Sequence, residues 1–302
     1  MTDRDSILGA GRYVTDGGLE TDLLFNRGFE LPEFAAFPLL ETDDGAVALE
    51  SYYDEFAEIA LSADAGLILE TPTWRANPDW AFQVGYDREA MDRANRAAVQ
   101  LMQRVKARNG VGSTLIAGVV GPRGDGYVSD GRSDHDEAAE YHSQQIQSFA
   151  DEGVDFVHAM TITGAAEAVG VVKACRAAGA PVAISFTVET DGRLPDGSTL
   201  REAIELVDME AAPDWYGVNC AHPTHIVEAF DGGEWQSRIT ALRPNASTLT
   251  HEELDAMEVL DTGDVGLLTS SLDALRPHLP QLAIVGGCCG TDSSHVAALW
   301  GI

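Results

Sequence analysis

The strongest constraint on this chain is a recurrence. Short apolar runs return along the sequence, and each gives way to a helical pattern before the next begins. Segments 12–15, 67–69, 114–119, 155–159, 181–186, 216–219, 238–241 and 282–285 read as strands. Helices are expected over about 43–62, 87–108, 134–152, 165–178, 199–210, 222–230 and 271–278, with shorter ones from His251 and Ser293. Runs that are apolar throughout, rather than alternating, belong to strands covered on both faces, as in a parallel sheet. About eight strand and helix units within 302 residues therefore predict a single (β/α)8 TIM barrel over residues 1–302. A doubly wound sheet is the competitor, but Gly17-Gly18 and Gly286-Gly287 do not make the GxGxxG fingerprint of a dinucleotide-binding turn.

In a closed barrel all strands end at one face, so Asp16, Glu70, Arg123, Met160, Thr187, Asn219, Ala241 and Cys288 are expected around one mouth. Two of the four cysteines, Cys288 and Cys289, follow the last apolar run, and a third, Cys220, follows the segment Trp215 to Asn219. Thiols gathered from two strand ends make a soft site, with zinc as the natural occupant and one tetrahedral position left open. The competing reading is that all three are small buried hydrophobes, which suits Cys175 within a predicted helix. His222 or His225 could close the fourth position, although a helix cap explains either as well. His158 reads as a core histidine.

Charge excludes several functions. The chain carries 49 acidic and 19 basic residues, a formal net charge of -30, and its only lysines are Lys106 and Lys173. Such a field repels nucleic acid and anionic membrane, and salt would relieve the repulsion among its own carboxylates. It suits a halophilic, high-salt cytoplasm. Four cysteines form no dense disulfide framework, an adjacent pair is a poor structural bridge, and the start Met1-Thr2-Asp3-Arg4-Asp5 has no signal-peptide character. A cytoplasmic setting is expected.

Taken together, Asp16-Gly17-Gly18, Val218-Asn219-Cys220 and Gly286-Gly287-Cys288-Cys289-Gly290 resemble the zinc-dependent homocysteine S-methyltransferase family. The likeness spans nearly the whole chain. It implies a (β/α)8 barrel, Zn2+ held by Cys220, Cys288 and Cys289, and methyl transfer to homocysteine to give methionine. S-methylmethionine is the expected donor, since one domain leaves no visible cobalamin-binding region. The resemblance also places Asp16, Gly17 and Gly18 along the amino acid pocket, with Thr187, Asn219 and Glu70 as neighbours and Asn245 as a loop-fixing residue.

Two departures matter. Members of the family commonly carry a glutamate after the fourth strand for the homocysteine ammonium, whereas this chain has Met160. A thioether cannot replace that charge, so Asp16, Glu70 or Glu189 is expected to compensate, or the acceptor is another small thiol. The second departure is Trp74-Arg75, where some relatives have a tyrosine near zinc. Arg75 and Arg123 are expected to take a substrate carboxylate, or else to pair with the abundant acids, and Trp74 to face a sulfonium donor. A non-catalytic, zinc-stabilised barrel is the remaining alternative.

Overall fold

A computed structural model describes residues 4–129, 131 and 134–302; Met1 to Asp3, part of the segment read against a leader, lie outside the described residues. Eight parallel strands close in sequence order: β1 (Tyr13–Val14), β2 (Gly66–Glu70), β3 (Thr114–Val120), β4 (Phe156–Ile162), β5 (Val182–Phe186), β6 (Trp215–Asn219), β7 (Ile239–Arg243) and β8 (Ile284–Val285). The seam is short. Only Tyr13 opposite Ile284 and Val14 opposite Val285 join β1 to β8.

The sequence pattern explains the layers. Apolar residues on both strand faces produce two cores, one inside the barrel and one between barrel and helices. The inner core stacks Tyr13, Ile68, Ala117, Phe156, Ala183, Trp215, Ala241 and Ile284, with Leu8 of the helix Arg4–Leu8 packed among them. Phe156 meets Trp215 edge to face at 4.8 Å. This filled floor leaves the chemistry to the opposite end.

Helices start where short polar side chains can satisfy free N–H groups. Thr42, Asp87, Asp134, Thr199 and Asp264 cap the helices Asp43–Ser62, Arg88–Arg108, His135–Glu152, Leu200–Ala211 and Val265–Leu275. Three expectations shift. The seventh strand runs on to Arg243 because Ala241, Leu242 and Arg243 pair with β6, so its end is not Ala241. The fourth strand runs to Ile162, which puts Met160 inside it. The helix expected over 271–278 begins at Val265, since Asp264 supplies its cap, and gives way to a tighter turn at Arg276 before Pro277. No helix among the described residues is long and apolar enough to cross a membrane.

Candidate metal centre

Cys220 directly follows β6, while Cys288 and Cys289 follow β8 after Gly286-Gly287. Barrel closure brings all three sulfurs within 4.8 Å of one another. Cys220 and Cys289 sulfurs are 3.9 Å apart. Cys220 and Cys288 are in bonding contact, with Cα atoms 5.4 Å apart, so all three can serve as ligands only when that pair is reduced. Three soft donors on rigid strand ends fit a zinc ion with one further position. Burial pushes the Cys289 thiol up to about 11, which suits a thiol deprotonated by a cation better than a free nucleophile.

The backbone around these sulfurs is held under constraint. Cys220 has a φ of 55° and Thr161 a φ of 60°, a region that costs a non-glycine residue about 1 kcal/mol or more. Several bonds fix it. The Cys220 carbonyl accepts from His251 Nε2 at 2.6 Å, Asn245 Nδ2 at 3.1 Å and Thr187 Oγ1 at 3.4 Å. Asn219 Oδ1 accepts from the Thr161 amide at 2.8 Å, and its Nδ2 donates to Thr161 Oγ1 at 2.8 Å and faces Cys288 Sγ at 3.8 Å. Asn219 thus ties β4 to β6 under the thiols.

Gly18 and Gly287 supply close approach. A Cβ on Gly18 would stand 2.5 Å from the Cys288 carbonyl oxygen, and one on Gly287 would overlap the Thr291 hydroxyl. The turn after β1 therefore lies flat against the cysteine loop. Thr21 Oγ1 also accepts from the Gly290 amide at 3.2 Å.

Two connected cavities open beside the sulfurs. The inner one is lined by Asp16, Gly17, Gly18, Glu20, Glu70, Met160, Asn219 and Arg243 as well as the three cysteines. The outer one shares Trp74, Tyr127 and Cys289 with it and adds Arg75, Asp125, His251 and Asp255. Buried Arg243 lies between two carboxylates, 2.5 Å from Asp16 and in contact with Glu70, and donates to the Gly17 carbonyl at 3.0 Å. Glu70 also meets His158 Nδ1 at 2.6 Å, and His158 Nε2 meets Ser185 at 2.7 Å. His158 is a packed, bonded core residue. Burial raises the Asp16 carboxyl, against the pull of Arg243.

The expected site residues divide. Asp16, Gly17, Gly18, Glu70, Trp74, Met160 and Asn219 come together in the inner cavity, and Arg75 lines the outer one with its guanidinium 3.4 Å from the Trp80 ring centroid and 4.3 Å from that of Trp74. Arg123 is elsewhere. It pairs with Asp79 at 3.0 Å and Glu137 at 2.6 Å over the Tyr141 ring and lines a separate cavity, so these acids take its charge. Thr187 supports the Cys220 carbonyl from behind, and Glu189 is taken by His251 at 2.6 Å. His222 caps the helix Pro223–Ile226 by accepting from the Thr224 amide, and His225 faces the Thr248 carbonyl at 3.1 Å.

Among the lining residues that the sequence does not single out are Glu20, Tyr127, Thr161 and Arg243. Tyr127 stands with its hydroxyl 3.7 Å from Cys220 Sγ and 3.6 Å from Cys289 Sγ, its ring stacked on His251 at 4.0 Å. It comes from the loop after β3, whereas Trp74-Arg75 stands where some relatives carry a tyrosine. Arg243 carries no site signal in the sequence, because the apolar run of β7 ends at Ala241 or Leu242 and only pairing with β6 extends the strand to Arg243.

Comparison with known proteins bears on this arrangement. A family model described as homocysteine S-methyltransferase matches residues 13–300. The chain is 25% identical over 328 residues to the homocysteine S-methyltransferase of Escherichia coli (strain K12), covering 99% of this chain and 96% of that one. Crystal structures of the homocysteine methyltransferase MmuM from Escherichia coli share the fold. The metallated form gives a TM-score of 0.75 and the oxidized form 0.77, each at 21% identity over 100% of this chain and 99% of the other.

Proposed function

The chain belongs to the homocysteine S-methyltransferase family, and from that premise we propose that it transfers a methyl group to the thiol of homocysteine, giving methionine, with Cys220, Cys288 and Cys289 as the ligands of a zinc ion. The observation that carries this reading is the convergence of those three sulfurs within 4.8 Å at the mouth of the barrel. Zinc, when bound there, supplies a Lewis acid that lets the acceptor thiol give up its proton near neutral pH.

The chain's own residues do the rest. Thr187, Asn245 and His251 hold the Cys220 carbonyl, and Asn219 ties Thr161 of β4 beside it, so that the sulfurs keep their positions. The Tyr127 hydroxyl stands over two of the sulfurs, so an entering thiol displaces it. Acceptor and donor divide the two cavities: the inner, carboxylate-lined one takes the amino acid end of the acceptor, and the outer, aromatic one takes the donor. Trp74 and Tyr127 are shared by both and face the path of the methyl group, where an aromatic face favours a sulfonium cation. The acceptor sulfur attacks the methyl carbon in line, one C–S bond forms as another breaks, and the thiol proton goes to solvent. S-methylmethionine is the donor that suits this chamber; its positive sulfur, Asp125 and Asp255 are of opposite charge, and Arg75 answers its carboxylate.

The test is direct. Zinc-loaded protein given homocysteine and S-methylmethionine should form methionine, and chelation of the metal should abolish it. Absence of methionine with any sulfonium or ammonium methyl donor would sink the proposal. Met160 favours a second reading, methylation of another small thiol, which a panel of thiols in the same assay separates. The acidic excess is read as adaptation to a salt-rich cytoplasm.

A further inference from the structure

Homocysteine carries an ammonium group that must meet an anion if it is to leave water for a buried site. Met160 lines the inner cavity but offers only a thioether. The carboxylates nearby are mostly engaged. Glu189 is held by His251, Glu70 by His158 and Arg243, and Asp16 by Arg243 with a further bond from Thr15 at 3.3 Å. One guanidinium thus serves both Asp16 and Glu70.

Glu20 differs. It lines the same cavity, and among the described residues its carboxylate is bonded only by its own backbone, with no side chain hydrogen-bonding or ion-pairing to it. Its mount is rigid, because the one-turn helix Leu19–Thr21 follows the Gly17-Gly18 turn, which is pressed against the Cys288 carbonyl, and Thr21 bonds to Gly290. The backbone that carries Glu20 is therefore fixed relative to the loop that presents the sulfurs. We infer that Glu20 is the specificity residue that receives the ammonium of the acceptor, replacing the charge that Met160 does not supply. The inference rests on the acceptor proposed above. Burial, with Asp16 adding repulsion, pushes the Glu20 carboxyl up to about 7, so a cation arriving beside it would favour its ionised form.

The experiment is calorimetric titration of zinc-loaded wild type and E20Q with homocysteine and with 4-mercaptobutyrate, which keeps the thiol and carboxylate but has no ammonium. Zinc content and Tm are measured for each protein. Wild type should bind homocysteine more tightly than the des-amino thiol, and E20Q should lose roughly 30-fold or more of affinity for homocysteine while 4-mercaptobutyrate changes less than about twofold. E20D, which keeps the charge, should recover part of the loss. Equal weakening of both ligands in E20Q, or unchanged preference for homocysteine, would overturn the role of Glu20 and leave the methyltransferase proposal standing. A wild type that does not prefer homocysteine overturns both.

Discussion

At the scale of single residues, the proposed zinc ligands and the proposed acceptor residue Glu20 lead to separate outcomes. Replacing Cys220, Cys288 or Cys289 by serine should remove bound zinc and activity together, measured by metal analysis and methionine formation. Cys175→Ser is the control: its thiol is buried in the core between barrel and helices, so zinc and activity should persist while Tm falls. Glu20 carries an opposite expectation for stability. Its carboxyl, facing Asp16 with Arg243 and Arg75 as the nearby cations, titrates near 7 in the folded chain against an ordinary value of 4.5. A raised folded pKa means that the stabilisation is full below pH 4.5 and is lost as pH rises through 7. E20Q should therefore be more stable than wild type at pH 8, by about 1–3 kcal/mol, and lose that advantage near pH 4 in denaturant titrations. Much of this chemistry was legible beforehand. Cysteine at two strand ends is a conspicuous pattern, and Asp16 with two glycines marks a turn. Glu20 was not legible, because one acid among 49 has no periodicity to single it out, and Tyr127 sits in a loop whose path only folding decides.

The elements explain why the sulfurs meet. Strand and helix alternation was readable because both-face burial leaves continuous apolar runs, and the barrel followed from their number. Strand ends were less readable. Pairing with β6 extends β7 to Arg243, and pairing with β5 extends β4 to Ile162, neither of which local propensity reveals. The contact between the turn after β1 and the loop after β8 is the joint on which the centre depends. Gly18→Ala should break it, since the new Cβ would stand 2.5 Å from backbone oxygen of Cys288, and the turn or the cysteine loop must move. A loss of about 2 kcal/mol or more, together with weaker zinc affinity, is expected from denaturant melts and competition with a chelator.

Across the whole molecule, the net charge of -30 works against compactness in dilute buffer. Arginines relieve it locally, as where Arg96 meets Asp92, Asp151 and Glu152, or Arg108 meets Glu50 and Asp54. These exposed pairs each add little, about 1 kcal/mol at most. Screening of the remaining repulsion should raise Tm between 0.1 M and about 2 M KCl, where the Debye length falls from about 10 Å to under 3 Å. A flat or falling Tm would contradict the high-salt reading. The fold is indifferent to that outcome, since its cores are apolar and its centre lies inside the mouth. What the whole barrel contributes is convergence, bringing sulfurs from residues 68 positions apart to one point beside a cavity. Zinc K-edge X-ray absorption of the metal-loaded protein, recorded with and without homocysteine, tests that claim most directly. Three sulfur ligands and one light atom are expected in the resting protein, becoming four sulfurs when homocysteine is added; unchanged zinc coordination, or zinc bound without the three cysteines, would contradict the convergence of sulfurs as the metal centre.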